Sequence, residues 1–208
     1  MSRVFLLSLA LAGIALTAPA SPGLALPLLS EVFYDAVGAD DGKVFVELSG
    51  TPGASLAGHR LEGINGADGG VTVTIDLTGA IGGDGLFVVA DAAAGGGSQV
   101  ADADLVLDFD FQNGPDAVVL RDATGAVVDA LGYGTGAAFF AGEGSAAPDA
   151  AAGESLMRLD GVDRDDNALD FVLNTTPTPG SGPLAVPEPR ALLPLCALAV
   201  AARVRRRA

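Results

Sequence analysis

One histidine, one cysteine and 26 acidic residues make up most of the chain's reactive inventory, and they exclude more chemistry than they permit. Serine-type hydrolysis needs a histidine base. His59 is the single candidate, and it falls in a segment read as a strand, where a packing or surface role is expected. Zinc hydrolysis needs three or four N, S or O ligands in a fixed array. The cysteine, Cys196, lies in an apolar run near the C-terminus. Residues 26–185 contain none, so they offer no disulfide, thiolate zinc site or cysteine nucleophile. Gly95-Gly96-Gly97 is not followed by the Lys-Ser/Thr of a phosphate loop. Carboxylate pairs suited to glycoside hydrolysis arise by chance in so acidic a chain, and there is no Trp to form a sugar platform.

Calcium is the ion that this composition suits, because it takes oxygen ligands from flexible loops. Asp163, Asp165 and Asn167 alternate as the first ligands of an EF-hand do, and they are the candidate calcium ligands. The pattern then departs: Ala168 stands where an EF-hand has Gly, and Asn174 where it has the bidentate Glu. Asp35, Asp40 and Asp41 form a second acidic loop, and Asp102, Asp104, Asp108 and Asp110 a third. The competing reading of every such loop is a solvated turn, in which Asp accepts from the backbone two residues on. Within residues 26–185, 25 acidic residues face five basic ones, a formal −20. That charge repels polyanions and excludes nucleic acid as a natural partner.

The elements that must position these groups are short strands. Leu28–Tyr34, Lys43–Ser49, His59–Ile64, Val71–Leu77, Leu86–Ala90, Leu105–Phe109, Ala117–Arg121, Val127–Tyr133 and Ser155–Leu159 are rich in β-branched and apolar residues, and Phe171–Leu173 is a candidate last strand. Val71–Ile75 alternates with period two, and Lys43–Leu48 and Leu86–Val89 are apolar on both faces, as central strands are. Turn dipeptides such as Asp41-Gly42, Asn113-Gly114 and Asp160-Gly161 separate them. Gly114 is expected to supply a positive φ. No segment between the ends keeps a helical period, so an all-β sandwich is expected. Residues 134–153 read as a long loop that Phe139-Phe140 plugs into the core, or as a partly disordered insertion. Glu47, on an otherwise apolar strand, is expected to pair with Arg60 or Arg158 or to face a ligand.

The two ends are targeting segments. Residues 1–25 carry Arg3, an apolar run from Val4 to Leu16, and small residues, as a secretory signal peptide does. Cleavage is expected after Ala25, with Ala20 as the other site. Residues 26–173 are the domain and 174–186 a Pro/Gly/Thr linker. Residues 187–208 hold Pro187-Glu188-Pro189, an apolar run from Ala191 to Ala202, and Arg203, Arg205, Arg206 and Arg207. In parts and order this tail resembles the PEP-CTERM sorting signal of bacterial surface proteins. The resemblance implies cleavage at or near Pro187–Pro189 by an exosortase, a membrane-embedded sorting protease. The apolar run is 12 residues, about 18 Å as a helix against a hydrocarbon core of about 30 Å. A transient sorting helix is therefore expected rather than a permanent anchor.

The domain carries its own resemblance. Leu29-Ser30-Glu31-Val32-Phe33-Tyr34-Asp35, Lys43-Val44-Phe45-Val46-Glu47-Leu48, Phe87-Val88-Val89-Ala90-Asp91, Gly114-Pro115-Asp116-Ala117-Val118-Val119-Leu120 and Gly153-Glu154-Ser155-Leu156-Met157-Arg158 resemble, in that order, a bacterial lamin-tail domain. The match runs over residues 28–181, with His59 where an aromatic is usual. It implies an immunoglobulin-like β-sandwich serving as an accessory or adhesion module, with no catalytic residues to carry over. The expected function is a non-catalytic module, exported to the cell surface or extracellular matrix, with polysaccharide or surface proteins as partners. A secreted hydrolase of surface polymers and a calcium-stabilised structural protein are the alternatives.

Overall fold

In the computed structural model, which describes residues 26–182, the apolar runs form ten strands. They are β1 (Leu28–Phe33), β2 (Phe45–Ser49), β3 (Arg60–Asn65), β4 (Val71–Asp76), β5 (Leu86–Asp91), β6 (Leu105–Leu107), β7 (Asp116–Arg121), β8 (Val127–Tyr133), β9 (Ser155–Arg158) and β10 (Phe171–Asn174). One helical turn, α1 (Asn167–Asp170), precedes β10. The expected signal peptide, Ala20 and Ala25, and the sorting tail with Pro187, Glu188 and Pro189 lie outside the described residues.

The strands make two sheets. One has six strands in the order β10-β9-β1-β2-β5-β6, the other four in the order β4-β3-β7-β8. All pairs are antiparallel except β5–β6. The doubly apolar runs take interior places, β2 between β1 and β5, because both faces there meet neighbours. One core draws on both sheets: Leu29, Val32, Val46, Leu48 and Val89 from the larger, Leu61, Ile75, Val118, Leu120 and Leu131 from the smaller. Side chains alternate across a strand, so the residues between these point to the outer faces. Phe33, Phe45 and Val88 form a second cluster on the outside of the larger sheet, and Ile64, Ala117, Val119 and Ala130 on the outside of the smaller.

Several local expectations change. β6 stops at Leu107 because Phe109 and Phe111 turn into the core, where their rings meet edge to face at 5.3 Å. Gly114 is not at positive φ. It is required for space: a Cβ there would press on Tyr133 and on the Asp149 carboxylate. Phe139 and Phe140 do not plug the core. They are half exposed and lie outside the four-stranded sheet, Phe139 over Gly69 and Phe140 over Gly132. The loop is held instead by small residues and backbone. Ala147 exchanges hydrogen bonds with Gly132 and Gly134 beside β8, and Ala147 and Ala150 are buried. Ala150 also donates to the Tyr34 hydroxyl, whose ring stacks on Tyr133 at 4.3 Å.

Candidate functional site

Two buried clusters of carboxylates stand out, and each joins segments far apart in the chain. The first is on the outer face of the six-stranded sheet. A bulge at Ser30 sets Glu31 directly opposite Glu47 in the β1–β2 ladder. Both side chains are wholly buried, and like charges in that position repel. Hydrogen-bond donors offset the repulsion. Glu31 accepts from the Ser155 hydroxyl, from Asn174 Nδ2 at 3.1 Å, and from Thr178 N and Oγ1 at 3.1 Å. Glu47 accepts from Ser30 Oγ and from Gly180 N, each at 2.7 Å. Burial pushes the Glu47 carboxyl above its usual range, although these donors pull it down. Neither arginine expected for Glu47 is its partner. Arg60 and Arg121 hold Glu62, at 2.6 and 2.5 Å, and Arg158 holds Asp129. The first residues of the expected linker, 174–180, are thereby fastened across the sheet rather than running free.

The second cluster lies where β8 of the smaller sheet meets β1 and β9 of the larger. Asp129 in β8 and Arg158 in β9 are both fully buried, and Arg158 Nη2 donates to Asp129 Oδ2 at 2.6 Å. The same oxygen accepts from Leu29 N at 2.6 Å, and Arg158 Nε donates to Leu29 O at 2.7 Å. The guanidinium also stacks 4.5 Å from the Phe171 ring centroid. This bridge ties the sheets together. Asp163 Oδ1 lies 3.8 Å and Asp170 Oδ2 3.5 Å from Arg158 Nη1, and Arg164 binds the other oxygen of Asp170 at 2.9 Å.

Glu143 reaches the same place from the 134–153 loop. One carboxylate oxygen from each of Asp129, Glu143 and Asp163 lies within 4.8 Å of the others. Asp129 Oδ1 and Glu143 Oε2 are buried and accept no hydrogen bond. Burial, with Asp129 and Asp163 beside it, pushes the Glu143 carboxyl up to about 7. Burial likewise raises Asp129, against the pull of Arg158.

The structure does not bring the three sequence-predicted calcium ligands together as ligands. Asn167 is buried with both ends of its side-chain amide engaged: Oδ1 accepts from Gly132 N and Glu143 N at 2.8 Å, and Nδ2 donates to Ala130 O at 2.7 Å. It is the clamp that sets the loop carrying Glu143 against β8. Asp165 is exposed in a left-handed turn (φ 54°), with its N–H bonded to Asp163 Oδ1 at 3.0 Å. Asp163 alone joins the carboxylate cluster. Asp129 and Glu143 escaped the sequence reading because they lie on a strand and in a Gly/Ala loop, far from any acidic run. The one available signal was Asp129, an acid within the apolar strand Val127–Tyr133.

In the other two acidic loops, three Asp side chains accept from backbone N–H groups, two of them far along the chain. Asp40 accepts from Ala36 N, Asp41 from Ala94 N and Asp104 from Val88 N. Asp84 and Asp122 each bond the backbone N–H two residues on. His59 precedes β3 rather than lying in it, and its Nδ1 is buried without a hydrogen-bond partner. Nothing among the described residues therefore orients it as a base. A shallow groove lined by Ile64, Val71, Val119, Val127, Phe139 and Phe140 runs along the outside of the four-stranded sheet. No family model matches the chain, and none of the curated proteins matches it.

Proposed function

We propose that this chain is a non-catalytic module of the cell surface or extracellular matrix, adhesive or structural, built on an immunoglobulin-like β-sandwich of the lamin-tail kind. A secretory signal exports it, and an exosortase-type protease processes its C-terminal tail. The observation that carries the reading is the tripartite tail itself. Pro187-Glu188-Pro189, the apolar run and the terminal arginines follow one another in the order a sorting protease needs. The arginines stay on the cytoplasmic side, and the prolines keep the cut site extended.

The described domain agrees with this reading in two respects. Its two sheets share one core, and most of its buried polar groups hold the architecture together, as the Glu31–Glu47 pair does. The fastening of residues 174–180 ends the domain at a fixed point, seven residues before Pro187. Polysaccharide or another surface protein is the partner class that fits an exported acidic module.

Mass spectrometry of both termini, on protein recovered from cells and from medium of the native host, tests the proposal. The expected N-terminus follows Ala25 or Ala20, and the expected C-terminus lies near Pro187–Pro189. Retention of Arg203–Arg207 in the mature protein overturns the sorting reading.

A further inference from the structure

Buried carboxylate oxygens need a proton, a donor or a cation, because an unpaired buried charge is costly. Asp129 Oδ1 and Glu143 Oε2 are two such oxygens, buried and without a donor, in one cluster. Asp129 is 0% exposed and cannot turn to water, since its Oδ2 is held by Leu29 N and Arg158. The three-carboxylate group Asp129, Glu143 and Asp163 is closed on the Asp129 side and open on the Asp163 side, which is exposed and gives an entry path.

We propose that Asp129, Glu143 and Asp163 form a binding site for a calcium-sized divalent cation, where the long loop meets β8 beside the 159–166 connection. The spacing fits. Oxygens about 2.4 Å from a shared calcium ion lie no more than about 4.8 Å apart, and these three satisfy that limit. The ligands are hard oxygens throughout, as calcium requires. The charge also fits. Asp129, Asp163 and Asp170 surround the Arg158 guanidinium, Arg164 is shared between Asp160 and Asp170, and Glu143 adjoins Asp129 and Asp163, so carboxylates outnumber the two guanidinium groups. Arg158 binds Asp129 through Oδ2 and leaves Oδ1 unused. Asn167 positions the site without binding the ion, because it bonds both Glu143 N and Gly132 N. A bound ion would join β8, the 134–153 loop and the 159–166 connection.

Thermal unfolding of the full chain, in chelator and then in about 10 mM calcium chloride, tests this. That concentration is above the affinity range of extracellular calcium modules. Calcium is expected to raise the Tm by several degrees, and sodium chloride at matched ionic strength to leave it in place. Glu143→Gln keeps the shape of a half-buried loop residue, and is expected to weaken calcium affinity at least tenfold by calorimetry. Asp163→Asn, at an exposed position, gives the same loss should the first variant fold poorly. A Tm that calcium does not move overturns the site. A response undiminished in both variants overturns this assignment of ligands. The termini of the mature protein do not enter either result, so the sorting reading stands or falls separately.

Discussion

The Glu31–Glu47 pair and the Asp129–Glu143–Asp163 cluster are both acidic and assembled from distant segments, and both hold fully buried carboxylates, yet they are finished differently. All four oxygens of the first pair accept hydrogen bonds, from Ser30, Ser155, Asn174, Thr178 and Gly180. In the second, two oxygens accept none, although Arg158 lies alongside. The difference lies in the donors each backbone supplies. β1, β2 and β9 place two serine hydroxyls beside Glu31 and Glu47, and residues 174–180 add an amide, a hydroxyl and backbone N–H groups. Beside β8, the guanidinium groups of Arg158 and Arg164 and the Leu29 N–H are shared among several carboxylates. Acids with every lone pair engaged fasten a structure, whereas acids left with spare buried oxygens create a demand for a positive ligand.

The largest effect that can break this comparison is at Arg158. Arg158→Ala leaves Asp129 buried without its charge partner and is expected to cost about 3–5 kcal/mol. That is much of the stability of a typical domain. Denaturant unfolding should show a large drop in midpoint; a drop below about 1 kcal/mol would mean that the bridge does not hold the sheets together. Next in size is Glu31→Ala, which leaves the donors of Ser155, Asn174 and Thr178 without their acceptor and is expected to cost about 2 kcal/mol. Limited proteolysis should then cut within residues 174–182 faster than in the parent, and an unchanged cleavage rate would show that the segment is held by other means.

The pH response sharpens the contrast further. Burial raises the folded Glu47 carboxyl above its ordinary value of 4.5. An acid raised on folding favours the folded state fully below its unfolded value, and that contribution is lost as pH rises through the folded value. Unfolding midpoints from about pH 4 upward should therefore fall less in Glu47→Gln than in the parent. Equal slopes would mean that the donors around Glu47 cancel its desolvation. The smallest effect belongs to Asp165. Asp165→Asn keeps a residue tolerant of the left-handed turn, and should change neither stability nor the calcium response. Loss of that response would return Asp165 to the ligand set.

The strand segments were legible because period-two patterning and turn residues report which side of a strand is buried. All ten expected strands appear, their ends shifted by at most two residues, as at β6, where Phe109 and Phe111 leave the ladder to enter the core. The site was legible only at Asp163. Local spacing suggested Asp165 and Asn167 as companions, but Asn167 is engaged by three backbone groups and Asp165 points to solvent.

By itself, then, the sequence determined the all-β class and the interior places of β2 and β5, since these follow from patterns a few residues long. Tertiary structure decided the pairing of charges. Arg158 meets Asp129 rather than Glu47, and Arg121 meets Glu62. Such choices depend on which faces two sheets turn toward each other and which loops cross their edges. Those distances are set by packing across 14 to 147 residues of chain, as between Asp129 and Glu143 or Glu31 and Thr178, and no local spacing encodes them.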